Sequence, residues 1–198
     1  MRTLRSLALA AALTGALTGS AAAADYKIDT AHATVTFKIR HLLTKVHGQF
    51  KKFDGTFSYD AKDLSKAAGK IVIDTASIDT NIEKRDNHLR SADFFDTAKY
   101  PAMTFVIKSA KLKGTALEVT GDLTIRDVTK PVVLKGTYNG EATDPWGNKS
   151  IGFSVETTIN RKDYGLTWNK ATETGGLLVG DDVEIAIDLE ANPLIVAK

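Results

Sequence analysis

His32-Ala33-Thr34-Val35-Thr36-Phe37-Lys38-Ile39-Arg40-His41 alternates apolar and polar side chains almost without a break. Val35, Phe37 and Ile39 share one face, and Thr34, Thr36, Lys38 and Arg40 share the other. A repeat of two is the signature of an extended strand, whose successive side chains point to opposite sides. A strand with one apolar and one polar face belongs to an antiparallel sheet that packs on one side and meets water on the other.

The same phase recurs along the chain. Phe57 and Tyr59 keep it within residues 50–59, where Gly55 reads as a bulge. A loop over residues 60–69 precedes a short strand carrying Ile71 and Ile73. Met103, Phe105 and Ile107 alternate with polar neighbours, as do Leu117, Val119, Leu123 and Ile125. Val132 and Leu134 follow, then Ile151, Phe153, Val155 and Ile159, and finally Val183, Ile185, Ile187 and Leu189. Turns are expected at Lys113-Gly114, Asn139-Gly140, Pro145-Trp146-Gly147-Asn148 and Gly180-Asp181.

One segment departs from this rhythm. Residues 82–91 lack alternation, are rich in charge, and predict a short helix capped by Thr80 or Asn81. Asp86 and Arg90, spaced i and i+4, are expected to pair on it, and Phe94-Phe95 to pack it onto the sheet. About eight strands joined by hairpins, with one helical insertion, fit a sandwich or a closed up-and-down barrel. The eight Phe residues, most of them in or beside these strands, favour the barrel. An eight-stranded barrel has room for filling side chains or for one small ligand. Alternation alone does not distinguish a filled interior from a hollow one.

The first residues bear on compartment. Arg2 and Arg5, an apolar run over residues 7–17 and the small residues ending at Ala22-Ala23-Ala24 match a cleavable export signal. The expected organisation is a signal peptide over 1–24 and a single domain over 25–198, delivered to the periplasm. The apolar run is too short for a membrane span. There is no cysteine, which excludes a lipoprotein anchor and a disulfide framework. The chain has 26 Lys and Arg against 24 Asp and Glu. Without Arg2 and Arg5 the two signs balance, and no basic face argues for nucleic acid.

Candidate chemistry is sparse. No thiol nucleophile, Gly-x-Ser-x-Gly elbow, phosphate loop or dinucleotide fingerprint is present. His32, His41, His47 and His88 are the imidazoles, three of them near the first strand, and their spacing matches no zinc motif. A metal-assisted periplasmic enzyme using these histidines is therefore the alternative reading, with local hydrogen bonding the simpler account. Two polar clusters remain, Arg85-Asp86-Asn87-His88-Leu89-Arg90 and Asn160-Arg161-Lys162-Asp163-Tyr164-Gly165-Leu166-Thr167-Trp168. Each reads either as local structural bonding or as the rim of a cavity that receives a polar head group.

These stretches, with Val46-His47-Gly48-Gln49-Phe50, Leu123-Thr124-Ile125-Arg126-Asp127-Val128-Thr129-Lys130-Pro131 and Val179-Gly180-Asp181-Asp182-Val183, resemble the YceI-like polyisoprenoid-binding family. They occur in family order over nearly all of the chain after the leader. Asp127 departs from the family's frequent Gly, which affects only a turn. The resemblance implies an all-β fold: an extended, lipocalin-like antiparallel barrel of about eight strands with a short helical insertion and a hollow apolar interior. It also implies a binding or carrier protein, not an enzyme, for an isoprenoid or other long-chain amphiphilic lipid, quinone-type lipids included. A homodimer is consistent with the family; a metal, a catalytic residue and a membrane span are not expected.

On that reading strand phase assigns the lining to Val35, Phe37, Ile39, Phe57, Ile73, Phe105, Val119, Leu123, Phe153, Val155 and Ile185. The head-group end is assigned to Arg40, His41, Arg85, His88, Arg161 and Trp168.

Overall fold

The computed structural model describes residues 24–60, 63–173 and 176–194. Of the expected leader only Ala24 falls among them. The elements are β1 (Ala24–Ile28), β2 (Thr34–His41), β3 (Thr44–Phe50), β4 (Phe53–Asp60), β5 (Asp63–Asp74), β6 (Ile78–Asp79), α1 (Glu83–Arg90), β7 (Ala102–Lys113), β8 (Ala116–Ile125), β9 (Val128–Thr143), β10 (Lys149–Asn160) and β11 (Val179–Pro193). Among the described residues no helix is long and apolar enough to cross a membrane.

These strands make one closed eight-stranded antiparallel barrel. Three of its staves are each broken once. β1 and β2 lie end to end along β11, which pairs Ala191 with Ile28 and Asp188 with Thr34. On their other side β1 pairs with β4 and β2 with β3. β5 and β6 then follow β4 and β3 in the same way. The second and third breaks sit side by side and are bonded to each other. Lys51 N–H donates to Ser77 O at 3.2 Å, and Asp74 N–H to Lys52 O at 2.9 Å. A 3-10 turn over Thr75–Ser77 fills the third break, capped by Asp74 accepting from Ala76 N–H. Each stave is joined to the next in sequence, so the barrel is an up-and-down meander.

That order defines two ends. At one, the helix end, lie α1, the β2–β3 and β8–β9 turns and the loop from β10 to β11. At the other, the far end, lie the β7–β8 and β9–β10 turns. Gly114 (φ +62°) serves the two-residue β7–β8 hairpin. In the two-residue β8–β9 turn the left-handed position falls on Arg126 (φ +57°), so Asp127 needs no glycine there.

Several local expectations are corrected. Asn139-Gly140 is no turn. It lies inside β9, where the register with β10 shifts between Gly152 and Phe153. Gly180-Asp181 likewise lies inside β11, in a register shift against β2. Gly55 pairs regularly with Ile71, while the β4–β5 irregularity falls between Ser58 and Asp60. Part of the expected 60–69 loop is the start of the 12-residue β5.

The helix end differs too. The N-cap of α1 is Ile82, which makes no side-chain cap. The buried Asp86 reaches back instead, accepting from Thr80 N–H at 2.9 Å and Thr80 Oγ1 at 2.5 Å. Arg90 does not pair with Asp86. It donates to Ala76 O, Ile78 O and Asn87 Oδ1. Asp86 therefore ties α1 back to the residue just after β6, and Arg90 ties it to the β5–β6 stave while also bonding Asn87 within the helix. Phe95 meets Phe50 edge to face at 5.7 Å, as the packing role of Phe94-Phe95 requires.

The close approach of β9 to β10 gives a test of this register. A Cβ on Gly136 would lie 1.9 Å from Ser154 O, a backbone atom with little freedom to move. Gly136→Ala is expected to lower unfolding free energy by about 1–3 kcal/mol, as overpacking does, measured by urea denaturation. Gly136→Ala at wild-type stability contradicts the register.

Candidate functional site

The inward faces of the staves do not meet. A cavity of about 880 Å³ runs the length of the barrel, from His88 and Trp168 at the helix end to Tyr59, Tyr138 and Glu141 at the far end. This resolves the filled-or-hollow alternative in favour of hollow. The volume lies near the top of the usual range for small-molecule pockets. Met103 and Leu112 of β7 both line it, a span of roughly 30 Å of strand at about 3.3 Å per residue.

Strand phase places the wall. Val35, Phe37, Ile39, Phe57, Ile73, Phe105, Val119, Leu123, Phe153, Val155 and Ile185 all face the cavity. Aliphatic side chains dominate the middle, and aromatic rings gather at both ends. Near α1, Phe37 lies 5.8 Å from Phe50, and the His88 ring stands edge-on to Phe94 (5.0 Å) and Trp168 (4.8 Å). At the far end Tyr26 stacks on Phe57 (5.6 Å) and Tyr59 (5.4 Å), and Phe153 meets Tyr138 at 5.4 Å.

Five of the six residues assigned to a head-group end line the cavity near α1: His41, Arg85, His88, Arg161 and Trp168. Arg40 does not. It follows Ile39 on the opposite face of β2, is exposed, and donates to Leu43 O at 3.2 Å. The cations that do line the cavity are largely bonded to the protein. Arg161, 3% exposed, donates to Gly180 O (2.8 Å), Leu166 O (2.5 Å) and Trp168 O (2.9 Å), with Asp181 Oδ1 at 3.4 Å. Burial lowers its pKa and Asp181 opposes that shift. Arg161 therefore holds the β10–β11 loop rather than facing a guest. Arg85 donates to Thr80 Oγ1 and Thr80 O at 2.7 and 2.8 Å. His88 Nε2 lies 2.8 Å from Asp93 Oδ2.

The histidines do not converge on a metal centre. His47 pairs across the ladder with Lys38. His32 Nδ1 lies 3.0 Å from Asp29 Oδ2 in the turn after β1. Among the described residues the one group with ligand spacing is Asp29, His32 and Glu190, which does not line the cavity. The Asp29 hydrogen bond raises the His32 pKa, and the same bond is the largest cause lowering that of Asp29.

Lining residues outside the predicted set include Tyr59, Tyr138, Lys84 and Glu141. Tyr59 and Tyr138 are in phase with Phe57 and Leu134, so alternation was sufficient to find them. Burial, then the neighbouring Tyr26 hydroxyl, push the Tyr59 phenol above the ordinary tyrosine range. Burial, then the Glu141 carboxylate, raise Tyr138. Glu141 is out of phase with Tyr138 in sequence and is found only through the shift in β9.

Three comparisons bear on this site. A family model described as the YceI-like domain matches residues 26–191. The curated protein YceI of Escherichia coli O157:H7 is 50% identical over 151 residues, covering 75% of this chain and 79% of its own. Two solved structures share the fold. Burkholderia cenocepacia BcnA superposes with a TM-score of 0.72 at 24% identity, covering 82% of this chain and 98% of its own. A polyisoprenoid binding domain from Saccharophagus degradans, implicated in plant cell wall breakdown, gives 0.61 at 17%, covering 85% and 98%.

Two tests follow from the bonding. Arg161→Leu leaves three carbonyls without a donor and is expected to lower stability by about 3 kcal/mol or more, whereas Arg40→Leu changes it little; equal effects in thermal unfolding contradict the roles given. For His32 the contact stabilises the folded chain only while the imidazole is protonated. It is fully present below the unfolded pKa and lost as pH rises through the raised folded value. Asp29→Asn is expected to lower the His32 midpoint in an NMR titration.

Proposed function

This chain belongs to the YceI-like family, and we propose that it is a periplasmic carrier for a polyisoprenoid or similar long-chain amphiphile, quinone-type lipids included, held as hydrocarbon inside the barrel. The observation that carries the reading is the cavity of about 880 Å³ walled along its length by aliphatic and aromatic side chains. Empty space of that kind gains nothing from water and much from a hydrocarbon tail. Each buried methylene contributes about 0.8 kcal/mol gross, so several isoprene units outweigh the freedom lost on binding. The wall offers few directional contacts along its middle, which favours loose selection by chain length.

The binding named for the Saccharophagus degradans domain supports the same class of ligand. The leader supports export. The helix end is suited to loading, since Leu42, Leu43 and Ile82 stand exposed there (49%, 91% and 52%) beside the cavity mouth. Such side chains favour contact with a lipid surface over water. No residue is given a catalytic role.

Native mass spectrometry of gently purified protein is expected to show an added mass that organic extraction releases as a long-chain lipid; the same spectrum reads whether the chain is a homodimer. Val119→Trp, which places a large ring inside the cavity, is expected to keep the fold and shift the extracted lipids to shorter chains. Protein that yields no lipid from repeated preparations, and takes up none from vesicles, refutes the carrier reading.

A further inference from the structure

The two ends of the tunnel are chemically unlike. At the helix end the polar groups of Arg85, Arg161 and His88 are bonded to Thr80, to loop carbonyls and to Asp93. Phe94 and Trp168 present ring surface to the cavity there, with the His41 and Lys84 side chains beside them at the mouth. At the far end the Tyr59 and Tyr138 side chains line the same cavity, hydrogen-bonded to each other, with Tyr138 also bonded to the Glu141 carboxylate, which stands exposed at the mouth.

Glu141 is placed there by a built feature. Simple alternation along β9 puts Leu134, Gly136 and Tyr138 on the inner face and position 141 on the outer. The ladder to β10 pairs Phe153 with Tyr138 but Gly152 with Gly140 and Ile151 with Glu141, leaving Asn139 as an extra residue. Phe153 and the buried Ile151 are both inward, so the shift turns Glu141 inward as well. Gly140, at φ +105°, supplies a backbone conformation that other residues adopt only with strain. Bulges that re-aim a side chain are a recurring device beside functional sites.

A carboxylate and phenols together accept and donate hydrogen bonds, and the carboxylate repels an anion. Resting on the carrier reading above, we propose that the far end is a head-group subsite for an amphiphile with an uncharged O–H or N–H head, its tail running back toward α1. The Glu141 carboxylate accepts from the head, Tyr59 and Tyr138 supply the complementary hydroxyls, and an ionised carboxylate or phosphate head is disfavoured. The helix end then receives hydrocarbon, in keeping with its rings.

The chain's two tryptophans make the orientation measurable, because Trp168 is at the helix end and Trp146 in the far-end turn. Each is kept as sole reporter by changing the other to Phe. The probes are a long-chain primary alcohol bearing a nitroxide at its tail terminus, the matching carboxylic acid, and the matching hydrocarbon. The alcohol is expected to quench Trp168 in Trp146→Phe and to leave Trp146 bright in Trp168→Phe. It is expected to bind about tenfold more tightly than the acid at neutral pH, and Glu141→Gln to close that gap by strengthening the acid while leaving the hydrocarbon unchanged.

Quenching of Trp146 by the tail, or a gap that Glu141→Gln does not move, overturns the subsite and leaves the tunnel intact. Failure of all three probes to bind overturns the carrier reading and the subsite with it.

Discussion

Closure of the backbone hydrogen-bond ladder through β11 is the constraint on which the rest of this molecule depends. β11 runs past both β1 and β2, pairing with each in turn, so the first stave meets the last along nearly its whole length. A closed ladder removes the two edges an open sheet exposes to other chains. It also fixes the circumference, because the number of staves sets the diameter. With eight staves and inward residues drawn mostly from Val, Ile, Leu and Phe, the side chains cover the wall without meeting at the axis. The cavity is therefore a product of closure and residue size together, and no single residue makes it.

A ring that encloses apolar space has to be closed at its ends without losing backbone hydrogen bonds. The helix end does this with charge turned inward on the protein itself. Asp86 binds Thr80, Arg85 binds Thr80, Arg90 binds the carbonyls of Ala76 and Ile78, and Arg161 binds two carbonyls of the loop before β11 and that of Gly180 at its start. Buried polar groups are tolerated where their partners are complete, and these nearly are. The charge density of residues 85–90 and 160–168 anchors α1 and the β10–β11 loop over the mouth, alongside the buried Phe94, Tyr164 and Leu166.

This accounts for what was legible in the sequence. Period two is a property of the strand itself, so every residue assigned to the wall from phase faces the cavity, from Val35 on β2 to Ile185 on β11. The number of staves and the helical insertion were legible for the same local reason. The partners of charged side chains were not. Asp86 and Arg90 have the spacing of a helical ion pair, yet each finds a tertiary partner fixed by how α1 sits on the β5–β6 stave. Arg161 has the look of a rim cation in sequence, and only the course of the loop shows that carbonyls surround it. Arg40 is the opposite case: its own strand phase already placed it outward beside Ile39.

Asn139-Gly140 is the most instructive of these misreadings, because one dipeptide supports two structures. Asn-Gly favours a tight hairpin when the strands on both sides end there, and a bulge when the ladder continues past it. Local propensity is equal in the two cases; the continuing pairs Glu141 to Ile151 and Thr143 to Lys149 decide it. The difference matters beyond the count of turns. A hairpin would have ended β9 before it reached the far mouth and left position 141 away from the cavity. A bulge extends the strand, inverts its phase, and carries a carboxylate to the end of an apolar tunnel. A wall made only of hydrocarbon has no preference for which way a chain lies in it, so direction has to come from the termini. One end of this tunnel presents rings with a lysine at its mouth, the other a carboxylate and phenols hydrogen-bonded among themselves, and in the subsite proposed above it is this chemical difference that orients an amphiphile.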